Sequence, residues 1–93
     1  MVFEWDDEKE RKNIAKHGIC FTTAARVFSD ENRIERFDAG HSEFEDRYMT
    51  IGLVGGLLMV LTVIYTERGD DVIRIISART ATKKEKEEYY GYR

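Results

Sequence analysis

The sequence predicts an α+β domain in which two N-terminal helices and one C-terminal helix pack on a small antiparallel sheet running as a meander. Three observations carry this. The 93 residues include no proline, and no Gly/Ser tract or repeat divides them, so residues 1–93 read as a single domain around one thin core. The apolar spacing is helical up to about residue 30 and shifts to a period near two from Arg33 onward. After the last strand-like run, a threonine precedes a highly charged segment with the composition of a helix. That order of elements describes helices laid on a sheet.

Phe3-Glu4-Trp5 is a short strand, ended by Asp6-Asp7. Asp7 with Glu10 three residues later resembles a capping box and opens a helix over Glu8 to His17. Its acidic first turn and its basic end (Lys12, Lys16, His17) complement the helix dipole, and Gly18 suits the left-handed residue that closes it. A second, short helix starts at Thr22 or Thr23 and ends near Ser29-Asp30. Arg33 to Phe37 mixes apolar and charged residues as an edge strand does. Tyr48 to Leu53 alternates, with Met49, Ile51 and Leu53 on one face. Leu57 to Tyr65 is apolar on both faces, the mark of a central, doubly covered strand. Gly55-Gly56 and Thr66 to Asp70 supply the turns on either side, and Asp71-Val72 to Ala78 is the next strand. Thr80 or Thr82 then caps the final helix, which runs through Tyr89.

Composition narrows the function classes. Fifteen Lys+Arg against eighteen Asp+Glu give a net charge of −3, which excludes a uniformly basic nucleic-acid binder but leaves room for a local basic site. Acid is concentrated from Asp30 to Asp46, whereas Arg68, Arg74 and Arg79 are spread along the later strand segment. The longest apolar stretch, Gly52 to Tyr65, is too short and too interrupted to span a bilayer. A single cysteine, Cys20, makes no internal disulfide, and the N-terminus lacks the basic start and apolar run of a signal peptide. Both point to the cytoplasm. One Cys and two His without ligand spacing predict no metal, and no glycine motif predicts a nucleotide cofactor.

Several residue types remain that can carry chemistry. Lys9, Lys12 and Lys16 recur at helical spacing along one face, suited either to solvent or to a phosphate backbone. His17 ends the same helix. His41 stands in a polar loop before Arg47, where a scaffold holds residues while solvent reaches them. Glu67 and Arg68 lie in the turn between the two best strands. Arg74 and Arg79 offer guanidinium forks suited to phosphate. Strand parity puts those two on opposite faces, so they reach one site only if the strand twists, bulges or ends early. Cys20, between Ile19 and Phe21, reads as a small buried hydrophobe.

Trp5-Asp6, Lys16-His17-Gly18 with Phe21, His41-Ser42-Glu43 with Arg47, Ile51-Gly52, and Arg74-Ile75-Ile76-Ser77-Ala78-Arg79 with Glu85 and Tyr89 together resemble the BrnT family of bacterial toxins over nearly the whole chain. The resemblance implies a RelE-like fold and a ribonuclease that blocks translation. It also implies a BrnA-type ribbon–helix–helix antitoxin that masks the toxin and alone contacts operator DNA. On that footing Arg79 and Arg74, helped by Arg68, stabilise charge on a phosphate. His41, His17 and Glu67 are the candidates for proton transfer. Lys12, Lys16 and Arg47 position the RNA backbone, and Tyr89 stacks on a base. RelE-like ribonucleases are commonly basic, and this chain, with a sequence pI near 5.4, is not. The rival reading is a non-catalytic module that acts only through its antitoxin complex in transcriptional autoregulation.

Overall fold

The computed structural model describes residues 1–91; Tyr92 and Arg93, part of the single domain expected over 1–93, lie outside the described residues. Strand β1 (Val2–Glu4) leads into helix α1 (Asp7–His17). Asp6, not Asp7, caps α1, its carboxylate accepting the Lys9 N–H at 3.0 Å. The expected Asp7–Glu10 box does not form because Glu10 is used elsewhere. Its carboxylate accepts the Phe21 N–H at 2.8 Å and ties the start of helix α2 (Phe21–Ala25) to α1. Gly18 closes α1 with φ 72°, as the sequence suggests. Helix α2 begins one or two residues earlier than expected, at the fully buried Phe21, and tightens into a 3-10 turn over Arg26–Ser29. Cys20 is half-buried, its Sγ 3.2 Å from the Thr23 hydroxyl.

The strands β2 (Ile34–Phe37), β3 (Tyr48–Val54), β4 (Met59–Glu67) and β5 (Val72–Thr80) form the expected antiparallel meander. The sheet as a whole is mixed, however. Its order is β1-β5-β4-β3-β2, and β1 adds in parallel to β5 through Val2↔Val72, Phe3↔Ile73 and Glu4↔Arg74. A hairpin announces its pairing through its turn, whereas a parallel partner some 70 residues away leaves no local mark. Leu57 and Leu58 belong to the β3–β4 turn rather than to β4, with Leu58 at φ 54°. Glu67 ends β4 instead of lying in the turn that follows.

Two cores result. Helices α1 and α2 cover one face, where Phe21, Val27, Leu61, Val63 and Ile75 form the larger cluster. Helix α3 (Lys83–Tyr90) packs on the opposite face over Ile51, Val60 and Ala81. Strand β4 is buried on both sides, as its apolar run predicts. Thr82 caps α3 in a reciprocal box with Glu85. Gly52 is required where β3 passes beneath the 3-10 turn, since a Cβ there would sit 2.7 Å from Val27 Cγ1.

Candidate functional site

Strand β5 carries one residue more than β4 opposite it. Ile64 pairs with Ser77 and Tyr65 with Ile75, so Ile76 is bulged out. The extra residue resolves the parity problem of the two arginines. Ile73, Ile75 and Ala78 all enter the larger core, which leaves Arg74 and Arg79 together on the face that carries α3. Beyond Arg74, β5 no longer has β1 beside it, and α1 takes over that edge through one side chain. Asn13, 6% exposed, accepts the Ala78 N–H at 3.0 Å and donates to the Ala78 carbonyl at 2.9 Å and to the Ile19 carbonyl at 2.8 Å. An amide with one donor group and one acceptor imitates a neighbouring strand at the residue before Arg79.

On the α3-bearing face lies an open depression of about 240 Å³. Met49, Ile64 and Ile76 form its apolar floor, and Asp38, His41, Arg47, Ser77 and Arg79 its polar rim. Three residues singled out from the sequence therefore converge: His41, Arg47 and Arg79. A second concavity gathers Lys12, Lys16 and His17, with Lys9, beside Ile76 and Ser77. The two bulge residues line both concavities, so the lysine face of α1 adjoins the depression at that point.

The 38–47 loop that delivers His41 is tied at its neck. The Asp38 N–H donates to the Arg47 carbonyl at 2.8 Å, and the Ser42 hydroxyl donates to the Asp38 carbonyl at 2.6 Å while accepting the Arg47 N–H at 2.9 Å. His41 Nδ1 sits 3.1 and 3.2 Å from the two oxygens of the Asp38 carboxylate. Asp38 is 13% exposed and His41 73%, so a largely buried carboxylate orients an imidazole whose Nε2 faces outward without a partner among the described residues.

Arg79 is held by a bidentate pair to Glu85 at 2.7 and 3.0 Å. Glu85 also accepts the Thr62 hydroxyl at 2.9 Å and the Thr82 N–H at 2.8 Å. The Arg79 hydrogen bond in first place, helped by those to Thr82 and Thr62 and opposed by burial, lowers the Glu85 carboxyl from 4.5 to about 2. A carboxyl lowered on folding contributes stability that is complete above its unfolded value and declines as pH falls toward the folded one. Unfolding measured between pH 7 and pH 2 is expected to show about 2–3 kcal/mol of stability disappearing below pH 4.5, and Glu85→Gln to lack that portion of the decline. Equal acid profiles for the two proteins would contradict this.

The other expected residues fall elsewhere. Arg74 leans toward β1 and pairs with Glu4 at 2.7 Å. Arg68 pairs with Glu45 at 3.3 Å, and Glu45 lies 3.7 Å from Arg47, so Arg68 reaches the site only through that carboxylate. Glu67 lines a separate concavity with Arg68 and Thr66. Tyr89 is placed for a different task than base stacking. Its ring packs on the smaller core, and its hydroxyl, pushed up to about 12 by burial and by the adjacent Asp30 carboxylate, donates to that carboxylate and holds α3 down.

Over residues 5–85 the chain matches the family model described as the ribonuclease toxin BrnT of a type II toxin–antitoxin system. The chain belongs to the BrnT family. The fold agrees: the crystal structure of the Brucella abortus ribonuclease toxin BrnT superposes with a TM-score of 0.64 at 28% identity, covering 89% of this chain and 100% of that one. No curated protein matches. Membership of a type II BrnT family implies an antitoxin partner. Among the described residues no helix is long and apolar enough to cross a membrane.

Sequence reading missed three contributors to this candidate site of the BrnT-family chain. Asp38 was visible as a carboxylate three residues before His41, a spacing that brings both together in a tight turn. Asn13 carried a weaker signal, a polar residue on the inward side of an otherwise charged helix. The bulge at Ile76 had none.

Proposed function

We propose that this chain is a RelE-like, metal-independent endoribonuclease toxin that cleaves RNA in the cytoplasm, inhibits translation, and is neutralised by a BrnA-type ribbon–helix–helix antitoxin. The observation that carries the reading is that His41, oriented by Asp38, shares with Arg47 and Arg79 the rim of a depression that adjoins a lysine-lined surface. In the reaction, a ribose 2′-oxygen attacks the adjacent phosphorus as its proton passes to a base, the P–O5′ bond breaks, and an acid protonates O5′. The products are a 2′,3′-cyclic phosphate and a 5′-hydroxyl end. His41 serves one proton transfer through Nε2, and His17, across the bulge, serves the other. Arg79 and Arg47 oppose the charge that grows on the phosphorane oxygens. Lys12 and Lys16 hold the backbone on the α1 side. Arg74, Arg68 and Glu67 act at longer range, through the field around the depression rather than by contact.

One observation favours the rival reading of a non-catalytic module. Arg79, Arg74 and Arg68 are each paired with a carboxylate, Glu85, Glu4 and Glu45 respectively, which lowers the charge available to a phosphate. Expression of the chain alone separates the two. Growth arrest with cleavage of cellular RNA, and cleavage by the purified protein that persists in EDTA, is the expected result. Soluble, folded protein without arrest moves the assignment to the module, and cleavage abolished by EDTA and restored by a divalent ion contradicts metal independence. RNA and antitoxin are expected to compete, since both use the same rim.

A further inference from the structure

Phe44 is 94% exposed, more than any other large apolar side chain among the described residues. It stands at the tip of the 38–47 loop, whose neck is closed by Ser42 and backbone bonds that do not involve it. The ring therefore adds nothing to the folding of the loop. With His41, Glu43, Glu45 and Arg47 it lines a concavity of about 310 Å³, which shares His41 and Arg47 with the depression of the candidate site. Whatever lies against Phe44 is thus next to the group proposed to act on the phosphate.

The charges in this concavity indicate which part of a nucleic acid fits. Glu43 and Glu45 repel a phosphate but accept hydrogen bonds from the N–H edge of a base. Glu45 is committed to Arg47 and Arg68. Glu43 makes no hydrogen bond or ion pair among the described residues. We propose that this concavity is a nucleobase subsite, in which Phe44 stacks on the base beside the scissile phosphate and Glu43 accepts from its N–H edge. Guanine, with N1–H and the 2-amino group side by side, matches a carboxylate best. Phe44 thereby takes the role that residue type alone assigns to Tyr89. The inference rests on the ribonuclease reading and adds to it a substrate preference.

The test uses the full chain and short single-stranded RNAs, with guanine or another base next to the cleavage position, and a second set carrying 2-aminopurine there. Phe44→Ala is expected to raise KM about 5- to 100-fold, the usual cost of one lost base–aromatic stack, and to remove the quenching of 2-aminopurine. Phe44→Trp keeps both. Glu43→Gln is expected to flatten the preference for guanine. Both positions are at the surface, so unfolding of the variants should match that of the parent. Unchanged KM and quenching in Phe44→Ala, with RNA still cleaved, would overturn the subsite and leave the ribonuclease. Loss of antitoxin binding in that variant with RNA binding intact would assign the tip to a protein contact instead. A parent chain that neither binds nor cleaves any RNA would remove both readings together.

Discussion

Alanine at His41 is expected to lower the rate of RNA cleavage by about 10²- to 10⁴-fold, the range over which a positioned acid or base contributes. The loss should fall on kcat, with KM little changed, because the lysines of α1 and the guanidinium of Arg47 still hold the backbone. Stability should fall by no more than about 1–2 kcal/mol, since the imidazole is 73% exposed while the Asp38 carboxylate it leaves, 13% exposed, loses a hydrogen-bond partner. Asp38→Asn tests the orientation separately. It leaves the imidazole in place but removes the charge that fixes its tautomer, so a smaller loss of kcat is expected. Single-turnover cleavage of a short RNA, measured beside urea unfolding, decides the matter. Retention of most of the rate in His41→Ala would remove His41 from the proton transfers and leave that role to another group.

Asn13→Ala acts on stability instead. The substitution strips partners from one N–H and two carbonyls, those of Ala78 and Ile19, at a position only 6% exposed. Each unsatisfied buried backbone group costs about 1–3 kcal/mol, so a total loss of about 3–5 kcal/mol is expected. A domain of this size has roughly 5–14 kcal/mol in all, so the urea midpoint should fall by at least about a fifth. Asn13→Asp is informative because it keeps the acceptor for the Ala78 N–H and loses both donors. At neutral pH it should be at least as damaging as alanine, and acid should partly restore it by returning one donor. A loss under 1 kcal/mol for either variant would mean that the edge of β5 is held by something other than this amide.

These two residues mark what a sequence does and does not disclose. His41 stood out because imidazole in a polar loop is a recognisable chemical signal, and its neighbour Asp38 lies within the same turn. The strands β3 and β4 were legible from alternation and from a run apolar on both faces, and the cap of α3 was narrowed to Thr80 or Thr82, of which the structure uses Thr82. What stayed hidden depends on partners distant along the chain. The parallel seat of β1 on β5 joins residues some 70 positions apart. The bulge at Ile76 exists only relative to β4, so the shared face of Arg74 and Arg79 had to be seen. The same holds for the carboxylates that neutralise the arginines: Glu4 and Glu45 reach Arg74 and Arg68 across the fold. The tie from the Tyr89 hydroxyl to Asp30 was likewise hidden, because an aromatic near a basic segment looks the same from sequence whether its hydroxyl meets solvent or a carboxylate.

The seat of β1 also sets a schedule for the molecule. Val2 to Glu4 are among the first residues made, yet among the described residues their only strand partner is Val72 to Arg74, and the amide of Asn13 waits for Ala78. Non-local pairings of this kind close late, after the intervening chain is available. A ribosome adding roughly 5–20 residues per second therefore spends most of the synthesis time with α1 and its lysines undocked and with no β5 to carry Arg79. On the proposed reading, the nascent chain cleaves no RNA until the last of its strands has left the exit tunnel. Any antitoxin already present meets a chain whose proposed RNA-binding surface is complete only once β5 has docked.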